Sequence, residues 1–587
     1  MKDTDGGAFL ISTAKEDSVF IPEEINDEQK MFGQSAEDFI RQKVLPVADK
    51  IEEKDYDLHI KLFKELGKLD LLSGDIPEIY GGLGLDKIST ALINEKLAGN
   101  GSFATTVADQ TGIGSLPILY FGTKEQKEKY LPKLATGEYI GAYALTETES
   151  GSDALSLKTT AKLTEDGNYW VLNGSKQFIT NAAFFDVMTV YARTENGISA
   201  FIVEKDTPGM SIGAEEHKMG IRGSSTCSIF FDDCRIPKEN LLGEKDKGHL
   251  IAFNILNIGR YKLGVASLGA AKYIIEEAIK YAKERVQFGQ PIANFGMIKE
   301  KLADMAASIW SLEGMVYRNA GLLENALHSL DPEAEDFSKN ALKQIANYAT
   351  ECSITKVYGS ETLWNVADET VQIFGGYGFI EDYPAEKFLR DSRINRIFEG
   401  TNEINRLLIP ATIMKKAMKG ELPLIEAATK VTEEIISIMP RSLLKEGPLA
   451  AESLAVEMSR KIALAVSGLL AKQYGEKLKD EEELLGRLAD IVIALYTAET
   501  AVIRAKKLSG SKKANQAEKL ARIAVSGLFG TIYQKSQEIV ATAAAGDMQR
   551  MMRSALMKLY KWYQLPNLVS LKREIADELI KQSKYCF

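Results

Sequence analysis

The sequence predicts a helical domain, a compact β-domain and a helical bundle, in that order, followed by an additional C-terminal helical domain. Three patterns carry this. Apolar residues recur at helical spacing to about residue 140, short β-branched and aromatic runs separated by turn residues fill 141–245, and long amphipathic stretches return at Gly248 and persist. At 587 residues the chain is too long for one hydrophobic core.

Residues 1–25 form an N-terminal extension, without a basic region leading into an apolar stretch, and no window resembles a membrane span. The expectation is a cytoplasmic protein. The first helical domain covers 26–140. In "NDEQKMFGQSAEDFIRQKVLPVADKIEE", Phe32, Phe39, Val44 and Val47 lie at roughly helical spacing; "GDIPEIYGGLGLDK" then breaks the pattern as a loop, and Ile88 to Ala98 resumes it.

The β-domain covers 141–245. "NYWVLNGSKQFITN" reads as a β-hairpin turning at Asn173-Gly174. "DVMTVYART", "GISAFIVEK" and "STCSIFFDDCRIP" read as further strands. From 246 to 418 the pattern is a helical bundle, opening with one long amphipathic helix that runs through "KERVQF". "KGELPLIEAA" reads as a linker into 424–587, where Leu454, Met458, Ile462, Val466 and Leu470 keep a four-residue step. That last region reads as a structural or association domain, with peripheral membrane contact as the alternative.

Composition narrows the function. A net charge of −10 and the lack of Lys/Arg runs interleaved with aromatics argue against nucleic acid as a partner. Cys227, Cys234, Cys352 and Cys586 have no CxxC spacing, and His59, His217, His249 and His328 are scattered, so no metal site or disulfide framework is expected. No HExxH or GxSxG occurs, which disfavours metal hydrolysis and triad catalysis.

Three stretches could carry chemistry. In "YALTETESGSDALSLKTTAKL", Gly151, Ser152 and Asp153 offer a tight turn with free N–H groups for a phosphate or a flavin edge. "QIFGGYGF" allows close backbone approach at Gly375, Gly376 and Gly378, but it is not GxGxxG after a strand, so a nicotinamide site is disfavoured. In "RIFEGTNEINRLLI", Thr401 is a candidate N-cap and Glu399 feels opposing pulls. The helix N-terminus and Arg393, Arg396 and Arg406 lower its pKa, and burial against Phe398 raises it. Taken alone, the glycine stretch reads equally as a turn between helices, while the first reads sooner as an ordinary loop and the lone Glu399 as part of a surface turn.

Their order changes that. "YALTETESGSD", "NGSKQFITN", "KMGIRGSSTCSIFFDDCRIPKENLLG", "RVQFGQPIANFGMIKEKLADM", "QIFGGYGF" and "IFEGTNEINR" occur together, and each resembles a block of the acyl-CoA dehydrogenases. The likeness runs from about residue 26 to 415. Within that family the sequence looks most like the long and very-long-chain enzymes, whose C-terminal helical extension it shares.

The resemblance implies FAD held between β-domain and bundle across a subunit interface, a homodimer, an acyl-CoA substrate and electron transfer to an electron-transferring flavoprotein. Glu399 matches the base that removes the pro-R α-proton while the β-hydride goes to flavin N5, and its N–H matches a donor to the thioester carbonyl. Some relatives carry the base on the helix matching "LNIGRYKLG", but that position here is Gly259. Tyr143, Leu145, Thr146, Ser152, Phe178, Ile179 and Thr180 match flavin contacts, with Phe178 standing where a tryptophan is usual. Arg285, Gln287, Phe288, Gln372, Gly375 and Gly376 match FAD contacts that come partly from a second subunit, and Thr401 and Glu403 match the adenosine side. Ser152, Asn257, Arg260 and Gly400 match the acyl-CoA side. An oxygen-using acyl-CoA oxidase and a redox-inactive acyl-CoA-binding scaffold remain as alternatives.

Overall fold

The computed structural model describes residues 5–435 and 446–587. The first domain is built from α1 (Asp27–Phe39), α2 (Ala48–Glu52), α3 (Tyr56–Gly67), α4 (Lys87–Leu97), α5 (Gly101–Asp109), α6 (Leu116–Phe121) and α7 (Lys124–Thr136). Their starts are fixed locally. Asn26 accepts from the Gln29 N–H at 2.8 Å, Asn100 from Phe103 at 3.0 Å, and Asp86 from both Ile88 and Ser89 at 2.9 Å, satisfying first-turn donors that lack intrahelical partners. A π-turn at Gln110–Gly114 follows α5 directly.

Eight strands form one sheet: β1 (Gly141–Ala144), β2 (Thr160–Leu163), β3 (Tyr169–Thr180), β4 (Val187–Arg193), β5 (Ile198–Glu204), β6 (Met210–Glu215), β7 (Thr226–Pro237) and β8 (Leu241–Leu242). The order is β6-β7-β3-β2-β4-β5-β8, with β1 added parallel to β4. The expected hairpin at Asn173-Gly174 does not form, because both residues lie inside the continuous strand β3. Gly174 is glycine for a different reason: a Cβ there would stand 2.7 Å from the Thr159 Cα on the crossing backbone. The real β2–β3 turn is Thr164–Asn168, closed by Thr164 N–H to the Tyr169 carbonyl at 2.8 Å.

The bundle opens with α8 (Gly248–Glu284), which ends before the predicted Phe288. Residues 285–288 instead enter a small hairpin of β9 (Val286–Gln287) and β10 (Gln290–Pro291). Then come α9 (Gly296–Leu327), α10 (Phe337–Asn347), α11 (Ala349–Phe374), α12 (Pro384–Arg393) and α13 (Asn402–Met418). Gly264 on α8 and Gly359 on α11 face each other so closely that a Cβ on Gly359 would lie 3.1 Å from the Gly264 Cα. This close crossing lets both helices reach the turn before α13.

The C-terminal helices are α14 (Leu424–Glu434), α15 (Ala450–Tyr474), α16 (Glu482–Lys507), α17 (Ala514–Ala543), α18 (Gly546–Lys561) and α19 (Leu568–Gln582). All five residues of the four-residue step on α15 are buried. The stretch read as a linker is itself anchored, since Leu422 and Leu424 are buried in a core shared with Ile354, Ile409 and Ile413 of the bundle. Phe9 and Leu10 enter the same core, so the N-terminal extension is a packed strap. Among the described residues no helix is long and apolar enough to cross a membrane.

Candidate active site

After α12, one 3-10 turn (Ile394–Arg396) leads to Glu399 and Gly400, and Thr401 caps α13 by accepting from Ile404 N–H at 3.1 Å. Glu399 and Gly400 both adopt left-handed conformations, with φ of 57° and 78°. For a glutamate that geometry costs about 1 kcal/mol or more and persists only where neighbours enforce it. Here they do. Asn405 Nδ2 donates to the carbonyls of Glu399, Gly400 and Thr401 at 3.3, 2.9 and 3.0 Å. Arg260 Nε donates to the Glu399 carbonyl at 3.2 Å, and Lys356 Nζ to that of Gly400 at 2.7 Å. The Glu399 N–H makes no hydrogen bond among the described residues.

Glu399 lines a cavity of about 820 Å³ bounded by α5, α8, α12 and the edge of the β-domain. Its Oε2 is buried and has no hydrogen-bond partner. Burial pushes the carboxyl up to about 7, against the opposing pull of Arg260 and Lys356. Two of the three arginines close in sequence are engaged elsewhere. Arg406 binds Glu361 at 2.8 and 3.0 Å and Asp490 at 2.8 Å, and Arg393 lies over the Trp364 ring at 5.9 Å. The space for the carboxylate comes from Gly259, where a Cβ would stand 2.7 Å from Glu399 Oε2. A second carboxyl, Asp109 at the end of α5, lines the same cavity with both oxygens buried and unpartnered. Burial, and secondarily Glu399, push it well above the usual carboxylate range.

A buried carboxylate that titrates near neutrality, beside a free backbone donor and on a ligand-sized cavity, can take a proton from carbon while an oxyanion forms nearby. Residues 26–138, 142–234 and 246–414 match the families described as acyl-CoA dehydrogenase N-terminal, middle and C-terminal domains, and 458–558 match a further acyl-CoA dehydrogenase C-terminal domain. A probable acyl-CoA dehydrogenase of Bacillus subtilis (strain 168) is 50% identical over 584 residues, covering 99% of this chain and 98% of the relative. The chain belongs to the acyl-CoA dehydrogenase family.

The crystal structure of an acyl-CoA dehydrogenase complexed with FAD from Bacillus anthracis superposes with a TM-score of 0.97 at 49% identity, covering 99% of this chain and all of that one. The human mitochondrial very long-chain specific acyl-CoA dehydrogenase is 38% identical over 488 residues, covering 78% of this chain and 71% of the relative. The fold is therefore that of an acyl-CoA dehydrogenase with an extra C-terminal helical domain.

In this acyl-CoA dehydrogenase the predicted site residues fall into three places. Glu399, Gly400, Asn257 and Arg260 are together, and Asn257 Oδ1 accepts from Arg260 Nη1 at 2.7 Å, so both side chains brace the Glu399 turn. The second group joins Tyr143, Leu145 and Thr146 to Phe178 and Thr180. The Gln177 N–H donates to the Thr146 carbonyl at 2.9 Å, and Lys176 Nζ reaches the Leu145 carbonyl at 3.2 Å and Glu147 Oε1 at 2.6 Å. A bulge against β7 puts Phe178 at φ 60° and leaves the residue 58% exposed, while Thr180 lines the cavity. The Ile179 side chain points into the β-domain core, leaving only its backbone for a ligand. Ser152 stands exposed on the nearby loop.

Arg285, Gln287, Phe288, Gln372, Gly375 and Gly376 form the third group, away from the cavity wall and exposed. The ends of α8 and α11 are tied there by Tyr281 stacked on Phe374 at 4.0 Å and by Arg285 over the Tyr377 ring at 5.3 Å. Thr401 is committed to its cap. Glu403 lies exposed in the first turn of α13, where the helix N-terminal N–H groups hold its carboxyl low. Sequence reasoning passed over Asp109 and Lys356. Each is a lone charge in an otherwise small or apolar helical stretch, "FATTVADQTG" and "CSITKVYG", and such a charge in a buried pattern was the available signal.

Proposed function

We propose that this acyl-CoA dehydrogenase binds FAD and converts a long-chain fatty acyl-CoA to its trans-2-enoyl-CoA, with Glu399 as the base and an electron-transferring flavoprotein as the acceptor. The observation that carries the reading is the buried, partnerless Glu399 Oε2 on the cavity wall, with the same residue's N–H left free. The residues present suit a flavin. Phe178 is exposed beside the segment that follows β1, Thr180 faces the cavity, and a Cβ built on Gly375 or Gly376 would meet open space. FAD, when bound, supplies the acceptor for the hydride that leaves the β-carbon.

The chain's own groups do the rest. The ionised Glu399 takes the α-proton; desolvation in the cavity makes this carboxylate basic enough for a C–H acid. Its N–H donates to the thioester carbonyl oxygen, where negative charge grows as the α-proton departs. Arg260, Lys356 and Asn405 hold the carbonyls of the turn in place, so the N–H stays aimed without reorganisation. The long-chain assignment rests on the match of the C-terminal extension. The homodimer rests on the exposed third group, where Phe288 is 93% and Phe379 85% exposed at the ends of α8 and α11.

An anaerobic titration of the purified holoenzyme with palmitoyl-CoA, following flavin absorbance, tests this beside Glu399→Gln. Bleaching in the parent and none in a variant that still holds FAD and ligand is the expected result. A parent that bleaches only with short or branched acyl-CoAs would reject the long-chain assignment. Bleaching that survives in Glu399→Gln would place the base elsewhere, and rapid peroxide formation in air without an acceptor would favour an oxidase.

A further inference from the structure

Lys356 sits on α11 with none of its surface exposed. Its Nζ donates to the Gly400 carbonyl at 2.7 Å and to Asn402 Oδ1 at 2.8 Å, and among the described residues no carboxylate lies within 4 Å of it. Other buried lysines divide: Lys176 and Lys262 each sit on a carboxylate, at 2.6 Å from Glu147 and 2.6 Å from Asp75, whereas Lys416 donates to the Gly6 and Asn347 oxygens far from the cavity, so what sets Lys356 apart is that its partners lie in the Glu399-Gly400 turn and α13. An ammonium taken from water without a contacting anion is costly, and such a cost is tolerated where the charge serves a site.

Its surroundings fix it in place. Asn402 is oriented by Ser360 and by donating to Glu361 Oε1 at 3.0 Å, and Glu361 is clamped by Arg406, which also holds Asp490 of the C-terminal helix α16. The Lys356 partners are therefore rigid. Groups facing Lys356 electrostatically are Glu399, Arg260, Glu403 and Glu361, with Glu399 the strongest after burial itself; those facing Glu399 are Arg260 from α8, Lys356 from α11, Asp109 from α5 and Tyr143 from β1.

We propose that Lys356 is a positioning residue for proton abstraction: its ammonium pins the left-handed Glu399-Gly400 turn through the Gly400 carbonyl and biases the Glu399 carboxyl toward its ionised form. This rests on Glu399 as the base. Burial pulls the Lys356 ammonium down to about 7, close to the Glu399 carboxyl, so the charged pair and the neutral pair, which differ by one proton moved between the two groups, lie close in energy.

The test is Lys356→Met in the holoenzyme, which removes the charge and keeps the length. The Glu399 carboxyl band, identified as the infrared feature lost in Glu399→Gln, is titrated over pH, and the anaerobic rate of flavin reduction by palmitoyl-CoA is measured across the same range. The expected result is a band midpoint raised by about one pH unit or more, and a rate lowered about tenfold at neutral pH that recovers in alkali. An unmoved midpoint, or a loss equal at every pH, would overturn the proposal. Should Lys356→Met fail to fold, Asn402→Asp gives the ammonium a contacting carboxylate, and the midpoint should again rise; a midpoint that stays would overturn the proposal too. A shifted band in an enzyme whose Glu399→Gln form still bleaches would instead leave Lys356 acting on Glu399 and reject Glu399 as the base.

Discussion

Where α9, α16 and the N-terminal strap meet, buried ions are matched to one another, whereas around Glu399 three carboxyl oxygens have no partner. In the first region Arg318 and Arg460 reach Glu499 at 2.8 and 2.7 Å, and Arg504 reaches Glu23 and Glu313 at 2.7 and 2.6 Å while lying over the Trp310 ring at 4.6 Å. In the second, Glu399 Oε2 and both Asp109 oxygens face a cavity. The same desolvation acts on both sets. Paired, it yields a fixed joint between domains; unpaired, it yields a carboxyl whose affinity for a proton sits near neutrality. The contrast separates architecture from chemistry more sharply than burial alone.

The largest effect should come from removing the unpaired carboxylate proposed as the base. Glu399→Gln is expected to slow anaerobic flavin reduction about 10⁴-fold, the upper range for loss of a general base, and to leave the unfolding midpoint unchanged, because no hydrogen bond of its carboxylate is lost. In the parent, the rate should fall as pH drops through about 7, roughly tenfold per unit below it, since only the ionised carboxylate accepts the α-proton. A flat profile between pH 5 and 8 would detach Glu399 from the rate.

The matched cluster should answer in the opposite way. Glu499→Gln strips two arginines of a shared counter-ion and should cost about 3 kcal/mol of stability, read as a lower urea midpoint, with the rate of flavin reduction unchanged at 25 °C. A variant as stable as the parent would show that the cluster's net contribution is small. A slowed rate would show that the joint communicates with the cavity.

What could be read in the sequence followed the range of the interaction. The Thr401 cap and the buried step on α15 depend on residues three or four apart, and both are visible in the chain. The Asn173-Gly174 pair misleads because glycine serves a backbone crossing at Thr159 as well as a turn, and composition alone does not tell these apart. The charges around Glu399 were out of reach. Nearness in sequence pointed to Arg393, Arg396 and Arg406, while the groups that act are Arg260, 139 residues away, and Lys356. The strap was equally hidden, since Phe9 is held by Arg460 and Glu23 by Arg504, more than 450 residues along the chain.

Gly259→Ala probes the boundary between the two behaviours at a smaller scale. The added methyl meets the free end of Glu399 and not a packed backbone, so the carboxylate should swing aside at little cost in stability. Displacing the base by about 1 Å should lower the rate about 100-fold. Unchanged activity would mean that the base works from another rotamer than the one facing Gly259.

Asp109→Asn should do least, and its smallness is informative. Two carboxyls on one cavity cannot both ionise cheaply, and their environments push them apart: Glu399 has Arg260 and Lys356 to favour its anion, whereas Asp109 has burial and the Glu399 charge against it. Of the two, Asp109 is therefore the one whose environment favours the protonated form, and an amide of the same shape replaces that form without a change of charge. The rate of flavin reduction should stay within about twofold of the parent, with its midpoint still near 7. If Asp109 were ionised, the same substitution would remove a negative charge facing the base, and the midpoint would fall. A measured fall would assign the anion to Asp109 and reverse the roles of the two carboxyls in the resting enzyme.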